Sequence, residues 1–244
     1  MNAHHYIFLS PHFDDIALSC GGLVWSLTQQ GNAAEVWTIM GGLPTSQAFS
    51  PFAQGMHKEW GLPPGEIVQN RRTEDRTACQ LIGAQPRHFD WQDAIYRKDP
   101  ITGLPTVNNN EELFGKSPEL ALVHQIKELI LKEIPDGAKL ILPISLGDHI
   151  DHRAVRQAGD LSERVDFYYA DYPYILMAFK NLYSGEEHWQ QEPHQFTEGA
   201  LVAWQEAVLC YTSQLSMFWR DAEEARLALR NYFAGGGGRL WVKG

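Results

Sequence analysis

Residues Tyr6 to Gln30, YIFLSPHFDDIALSCGGLVWSLTQQ, decide the fold. Tyr6–Ser10 is a short apolar run of β-prone residues. Asp14–Gln30 then carries Ile16, Ala17, Leu23, Val24 and Leu27 at helical spacing. Gly21 and Gly22 interrupt that pattern, a mark of close packing. Glu35–Met40 (EVWTIM) follows as a second strand and stops at Gly41-Gly42. Strand, helix and strand in this order make a right-handed crossover and a parallel sheet.

The same alternation continues outward. A short helix is predicted around Ala53–Trp60, a stronger one over Arg71–Ile82 closed by Gly83, and a strand over Arg87–Trp91. Asp93–Lys116, rich in Pro, Gly and Asn, reads as a long surface excursion of the kind that often carries binding loops. Ser117 as N-cap and Pro118 at the first helical position open a helix running to Ile134. Lys139–Ile144 is a strand, His149–Ala158 a helix and Val165–Ala170 a strand. Helices over Glu198–Leu209 and Thr212–Phe233 follow, then a flexible turn at Gly235–Gly238 before Leu240–Val242. The expectation is an α/β sandwich with a mostly parallel sheet and a helical C-terminal appendage, as a single domain over 1–244.

Composition narrows the function classes. The chain has 244 residues with 44% apolar and 20% charged, which is ordinary globular usage. A net charge of -10 with no basic stretch argues against a nucleic-acid partner. The uncharged stretches Ile16–Ala34 and Val36–His57 are too polar or too broken by Gly and Pro to span a bilayer. The N-terminus lacks the pattern of a secretory signal, and Cys20, Cys79 and Cys210 form no CxxC. A cytoplasmic protein with reduced thiols is expected, acting on a small molecule, with a homo-oligomer allowed.

Chemistry concentrates in two clusters, Pro11-His12-Phe13-Asp14-Asp15 after the first strand and His149-Ile150-Asp151-His152 after Lys139–Ile144. Ligands of open parallel sheets bind beyond the carboxyl ends of the strands, so both clusters can meet at one edge. His12, Asp15 and His152 are the expected metal ligands. Two imidazoles, one carboxylate and an open position suit a catalytic zinc, which lowers the pKa of a bound water from about 15.7 towards ~7. Asp14 diverges from Asp15 and is the expected general base. His149 is expected to stabilise the oxyanion or protonate the leaving group, with Asp151 orienting its imidazole. Seen alone, Asp14 and Asp15 would pass as first-turn acids favoured by the helix dipole.

PHFDD together with HIDH resembles the LmbE/PIG-L family of metal-dependent deacetylases, which carry PHPDDE-like and HPDH-like motifs. That resemblance implies a Rossmann-like α/β fold, a zinc ion (with Fe2+ as the other candidate) and removal of acetyl from an N-acetylglucosamine unit. It extends to RRTEDRTACQLIGA at 71–84, to Tyr211-Thr212-Ser213-Gln214 and to the terminal GGGGRLW. Arg71 and Asp93 are thereby implied in substrate binding. Phe13, Ile16 and Ile150 depart from the family pattern, and the first two are expected to make the rim of the site more apolar. The tryptophans Trp25, Trp37, Trp60 and Trp91 are expected in the core, and Cys20 as a buried small residue. Two other readings of the same residues are a mononuclear Fe(II) oxygenase, through a two-histidine one-carboxylate triad, and a non-catalytic sugar-binding module with a structural metal.

Overall fold

Ile7, Phe8 and Leu9 are all fully buried, so the first strand is covered on both faces, as in the centre of a parallel sheet. The computed structural model describes residues 3–46, 48–61, 65–178 and 188–244. Its strands are β1 (His5–Ser10), β2 (Ala33–Thr38), β3 (Gln85–His88), β4 (Lys139–Pro143), β5 (Val165–Tyr169), β6 (Trp189–Gln191) and β7 (Leu240–Lys243). They form one sheet in the order β3-β2-β1-β4-β5-β7-β6. The first five strands pair in parallel, whereas β7 runs antiparallel to both β5 and β6.

β1 lies between β2 and β4, with Ile7 opposite Glu35 on one side and Leu140 on the other. Strand order runs outward in opposite directions from the β1/β4 pair. That reversal opens a crevice beyond their carboxyl ends. Both histidine-bearing clusters leave the sheet at this crevice.

The helices are α1 (Asp15–Gln29), α2 (Pro51–Trp60), α3 (Ile67–Leu81), α4 (Asn110–Gly115), α5 (Leu120–Glu133), α6 (Ile150–Ser162), α7 (Glu198–Leu209), α8 (Thr212–Phe218) and α9 (Ala222–Ala234). α1 and α3 pack with each other and with α7, while α5 packs on α6. Right-handed crossovers place these two groups on opposite faces of the sheet. α1 is kinked at Cys20, whose φ of -152° is not helical. There Trp204 of α7 packs on the helix and its indole N–H donates to the Ala17 carbonyl. A Cβ on Gly21 or Gly22 would lie 2.8 or 2.9 Å from that ring, so the two glycines admit Trp204.

Several local expectations are corrected. α3 begins at Ile67, about one turn before the expected start at Arg71. α5 is capped by Glu119 rather than Ser117, and the Glu119 carboxylate is held by Arg97 instead of by the helix end. The expected helix over Thr212–Phe233 is two helices, because Asp221 accepts from the Glu224 N–H and starts α9 afresh. The glycine turn is packed rather than loose: a Cβ on Gly237 would meet the Tyr232 ring at 2.3 Å and one on Gly238 the Trp204 ring at 2.6 Å.

The Asp93–Lys116 excursion also differs from a plain surface loop. Its tip is exposed at Ile101 and Leu104, but Ala94, Ile95, Val107 and Leu113 are buried. They join Ala53, Trp60, Ile67 and Ile150 in a second, smaller apolar cluster. Its apolar residues follow neither period 2 nor period 3.6, so they gave no element signal and still found a core.

Candidate active site at the β1/β4 crevice

The loop after β1 is tied by its own side chains. The His12 N–H donates to Asp15 Oδ2 at 2.7 Å, and the Ser10 hydroxyl donates to the His12 carbonyl. This turn holds His12 Nδ1 3.6 Å from Asp15 Oδ2. From the other half of the chain, the first turn of α6 brings His152 Nε2 to 3.4 Å from Asp15 Oδ1. Two donors each about 2.1 Å from a tetrahedral ion are separated by roughly 3.4 Å, close to each of these two separations, which run to different Asp15 oxygens. Ligand atoms of His12, His149 and His152 also lie within 4.8 Å of one another, and all three residues are buried.

The imidazoles of the cluster differ in how their second nitrogens are used. His152 Nδ1 meets Asp171 Oδ1 at 2.7 Å, and the other Asp171 oxygen accepts from the Leu146 N–H at 3.0 Å. His12 Nε2 meets Asp151 Oδ2 at 3.1 Å. Each of these rings is therefore braced by a carboxylate on the side away from Asp15, the arrangement that orients histidine ligands of metals. His149 is the N-cap of α6, and its Nδ1 accepts from the Asp151 N–H at 3.2 Å. With Nδ1 as acceptor, the proton of the neutral ring sits on Nε2, which makes His149 a hydrogen-bond donor.

Charge follows the same division. Burial alone would raise the Asp15 carboxyl, yet His152 and His12 beside it hold it well below the usual carboxylate range. Burial, with His12 as the next cause, pushes His149 well below the ordinary histidine range and keeps its ring neutral. Asp14 is raised by burial, partly offset by Arg71, whose Nη2 donates to Asp14 Oδ1 at 2.9 Å.

Arg71 of α3 does not project into solvent. It is buried, with its guanidinium carbon 5.4 Å from the centroids of both Phe13 and Trp60. Asp93 Oδ2 lies 3.7 Å from His12 Nε2, so the excursion delivers this acid to the site. His12, Asp14, Asp15, Arg71, Asp93, His149 and His152 all line one cleft enclosing about 670 Å³, part of it open solvent. Trp60, Leu113, Phe114, Tyr174 and Met217 supply its apolar wall.

Two expectations about the site are corrected. Phe13 and Ile16 do not make the rim apolar: they are 2% and 1% exposed and lie in the main core. Asp14 and Asp15 line the cleft, while Phe13 and Ile16 on either side of them pack into the core. The Asp151 carboxylate does not orient His149 but faces His12, the Ala94 N–H at 2.9 Å and Arg97 Nη1 at 2.7 Å. Trp60 is buried as expected, yet it also borders the cleft.

Sequence reasoning did not single out Asp171, Arg97, Glu74 or Asp75. Asp171 directly follows β5 and Ala170, a strand end on the same edge, which was a usable signal. Glu74 accepts from the Thr212 hydroxyl, the Ser213 N–H and the Ser213 hydroxyl. Asp75 meets His88 Nε2 at 2.6 Å and accepts from the Tyr211 hydroxyl at 2.8 Å. These two acids of α3 fasten the 211–214 segment behind the site, and Gln214 reaches the cleft.

The model of the PIG-L family, described as GlcNAc-PI de-N-acetylase, matches residues 7–161. That span holds both motif loops, α3 and the excursion. The chain belongs to the PIG-L family. It is a deacetylase, and the buried histidine cluster is its candidate metal site. A 2'-N-acetylparomamine deacetylase of Niallia circulans is 29% identical, with 89% of this chain and 84% of that protein covered. Among solved structures, the A40926 pseudoaglycone deacetylase Dbv21 is 27% identical with a TM-score of 0.71, covering 99% of this chain and 97% of that one. A deacetylase of the teicoplanin biosynthesis pathway is 26% identical with a TM-score of 0.75, covering 98% of both chains. Membership in the PIG-L family favours the hydrolase over the oxygenase and the non-catalytic module. Phe13 and Ile150 are buried and do not line the cleft.

Proposed function

We propose that the chain is a zinc-dependent N-deacetylase that removes the acetyl group from an N-acetylated amino sugar or a conjugate of one. The observation that carries this reading is the convergence of His12, Asp15 and His152 from opposite halves of the chain, with Asp14 beside them and held by Arg71. His12, Asp15 and His152 would hold the ion, with Fe2+ as the other candidate. When bound, the ion supplies Lewis acidity, polarising an acetamide carbonyl and making water nucleophilic near neutral pH.

The chain's own residues supply the rest. Asp14 takes the proton of the attacking water as the new C–O bond forms. His149 donates through Nε2–H to the tetrahedral oxygen, its tautomer fixed by the Asp151 N–H. The C–N bond then breaks, and the proton on Asp14 passes to the departing amine. Arg71 and Asp93 face the cleft where sugar hydroxyls would lie, a cation and an anion suited to polar recognition. The relatives named above are a 2'-N-acetylparomamine deacetylase, a deacetylase of the teicoplanin biosynthesis pathway and an A40926 pseudoaglycone deacetylase, which supports an N-acetylated substrate here.

Residues 1–244 would act as one functional domain on a small molecule, in the cytoplasm, with a homo-oligomer compatible. Among the described residues no helix is long and apolar enough to cross a membrane. The test is acetate release from a panel of N-acetylated amino sugars, 2'-N-acetylparomamine included, before and after chelation and after zinc is returned. Release that stops with chelator and returns with zinc supports the reading. Release indifferent to chelator, or none from any acetamide, overturns it.

A further inference from the structure

We infer that Arg97 is a positioning residue for the metal ligand His12, acting through Asp151, so that the 93–116 excursion sets the aim of a ligand it does not itself provide. The inference rests on the proposed role of His12 as a ligand.

The Asp151 carboxylate is fully buried and has three partners: His12 Nε2 at 3.1 Å, the Ala94 N–H at 2.9 Å and Arg97 Nη1 at 2.7 Å. Two of the three come from the excursion. Arg97 is itself fixed, with Nε and Nη2 on the two Glu119 oxygens at 3.0 and 3.1 Å and Nη1 donating to the Gln92 carbonyl at 2.9 Å. Its side chain is only 12% exposed. A chain of contacts thus runs from Glu119 through Arg97 and Asp151 to His12.

Each link has a physical reason. Asp151 faces the His12 ring at one oxygen and the Arg97 guanidinium at the other, so a shift of the guanidinium is passed to the ring. With its fork fixed on Glu119, the guanidinium holds a positive charge against Asp151 Oδ1. With Asp151 on Nε2, His12 keeps Nδ1 turned to Asp15. The same excursion places Asp93, Leu113 and Phe114 on the cleft. Movement of that wall would therefore be felt at His12.

The test is Co2+ binding, followed by the visible absorption of the bound ion and by competition with a chromophoric chelator. It compares wild type, Arg97→Gln, Arg97→Lys, Glu119→Gln and His12→Ala. Arg97→Gln should weaken Co2+ binding about 10–100-fold and alter the absorption bands, as loss of such outer partners does. Arg97→Lys should recover most of the affinity, because it returns a cation to Asp151. If Arg97→Gln does not fold, Glu119→Gln decides, with a smaller loss of about threefold to tenfold expected as the outer end of the chain loosens. A merely structural Arg97 would lower the melting temperature and leave both affinity and bands unchanged, which would overturn the inference. Wild type and His12→Ala binding Co2+ alike would overturn the ligand role of His12, and the inference with it.

Discussion

The two strand-end loops and the 93–116 excursion border the same cleft, yet they reach it by different physics. The loops at 11–15 and 144–152 are short, leave adjacent strands of a buried sheet, and have little freedom in where they aim. Their polar residues are dense because the site needs them and the sheet edge presents them. The excursion is held by a small apolar cluster of its own and by ion pairs such as Arg97 with Glu119. Strand ends fix the chemistry, and long-range packing fixes the wall around it.

That contrast can be broken from either side. Asp14→Asn strikes the strand-end loop and should lower turnover by about 10²–10⁴-fold while zinc content measured by elemental analysis stays near wild type. Retained activity would remove Asp14 from the role of base. Leu113→Ala strikes the excursion's cluster and should cost about 2–3 kcal/mol in a denaturant melt. Because Leu113 also lines the cleft, KM should rise more than kcat falls. Equal losses in both would place the wall's effect on the reacting centre instead.

Asp171→Asn sharpens the comparison, since Asp171 braces His152 from a strand end with no help from the excursion. Zinc affinity should fall about 10–100-fold in a chelator competition, with folding retained. Far from both regions, Asp221→Ala removes the cap of α9 and should lower stability by ~1 kcal/mol with kinetics unchanged. A kinetic effect there would show that the C-terminal helices act on the cleft.

The same division explains what could be read without coordinates. The order of strands and helices followed from local periodicity, and it holds from β1 through β5 except for α4, which lies inside the excursion expected to be a loop. His12, Asp14, Asp15, His149 and His152 stood out because histidines and aspartates were crowded at two strand ends, and the structure places them on one cleft. Asp171 is a lone acid whose meaning depends on β5 pairing with β4, which brings it beside His152. Arg97 and Glu119 meet across a stretch without periodicity, so nothing local announced the pair. Phe13 is illegible for a simpler reason: a departure from a family pattern does not say which way the side chain points, and here it points into the core. The break at Asp221 was legible, since an Asp followed three residues later by Glu is a helix-start signal, but continuous apolar spacing concealed it.

The central claim is one divalent ion held jointly by both halves of the chain. Anomalous diffraction at the zinc edge from crystals soaked in zinc tests it most directly. The account predicts a peak within bonding distance of His12 Nδ1, Asp15 and His152 Nε2, absent from crystals of His152→Ala. A peak elsewhere, or one that survives that substitution at full height, would contradict it.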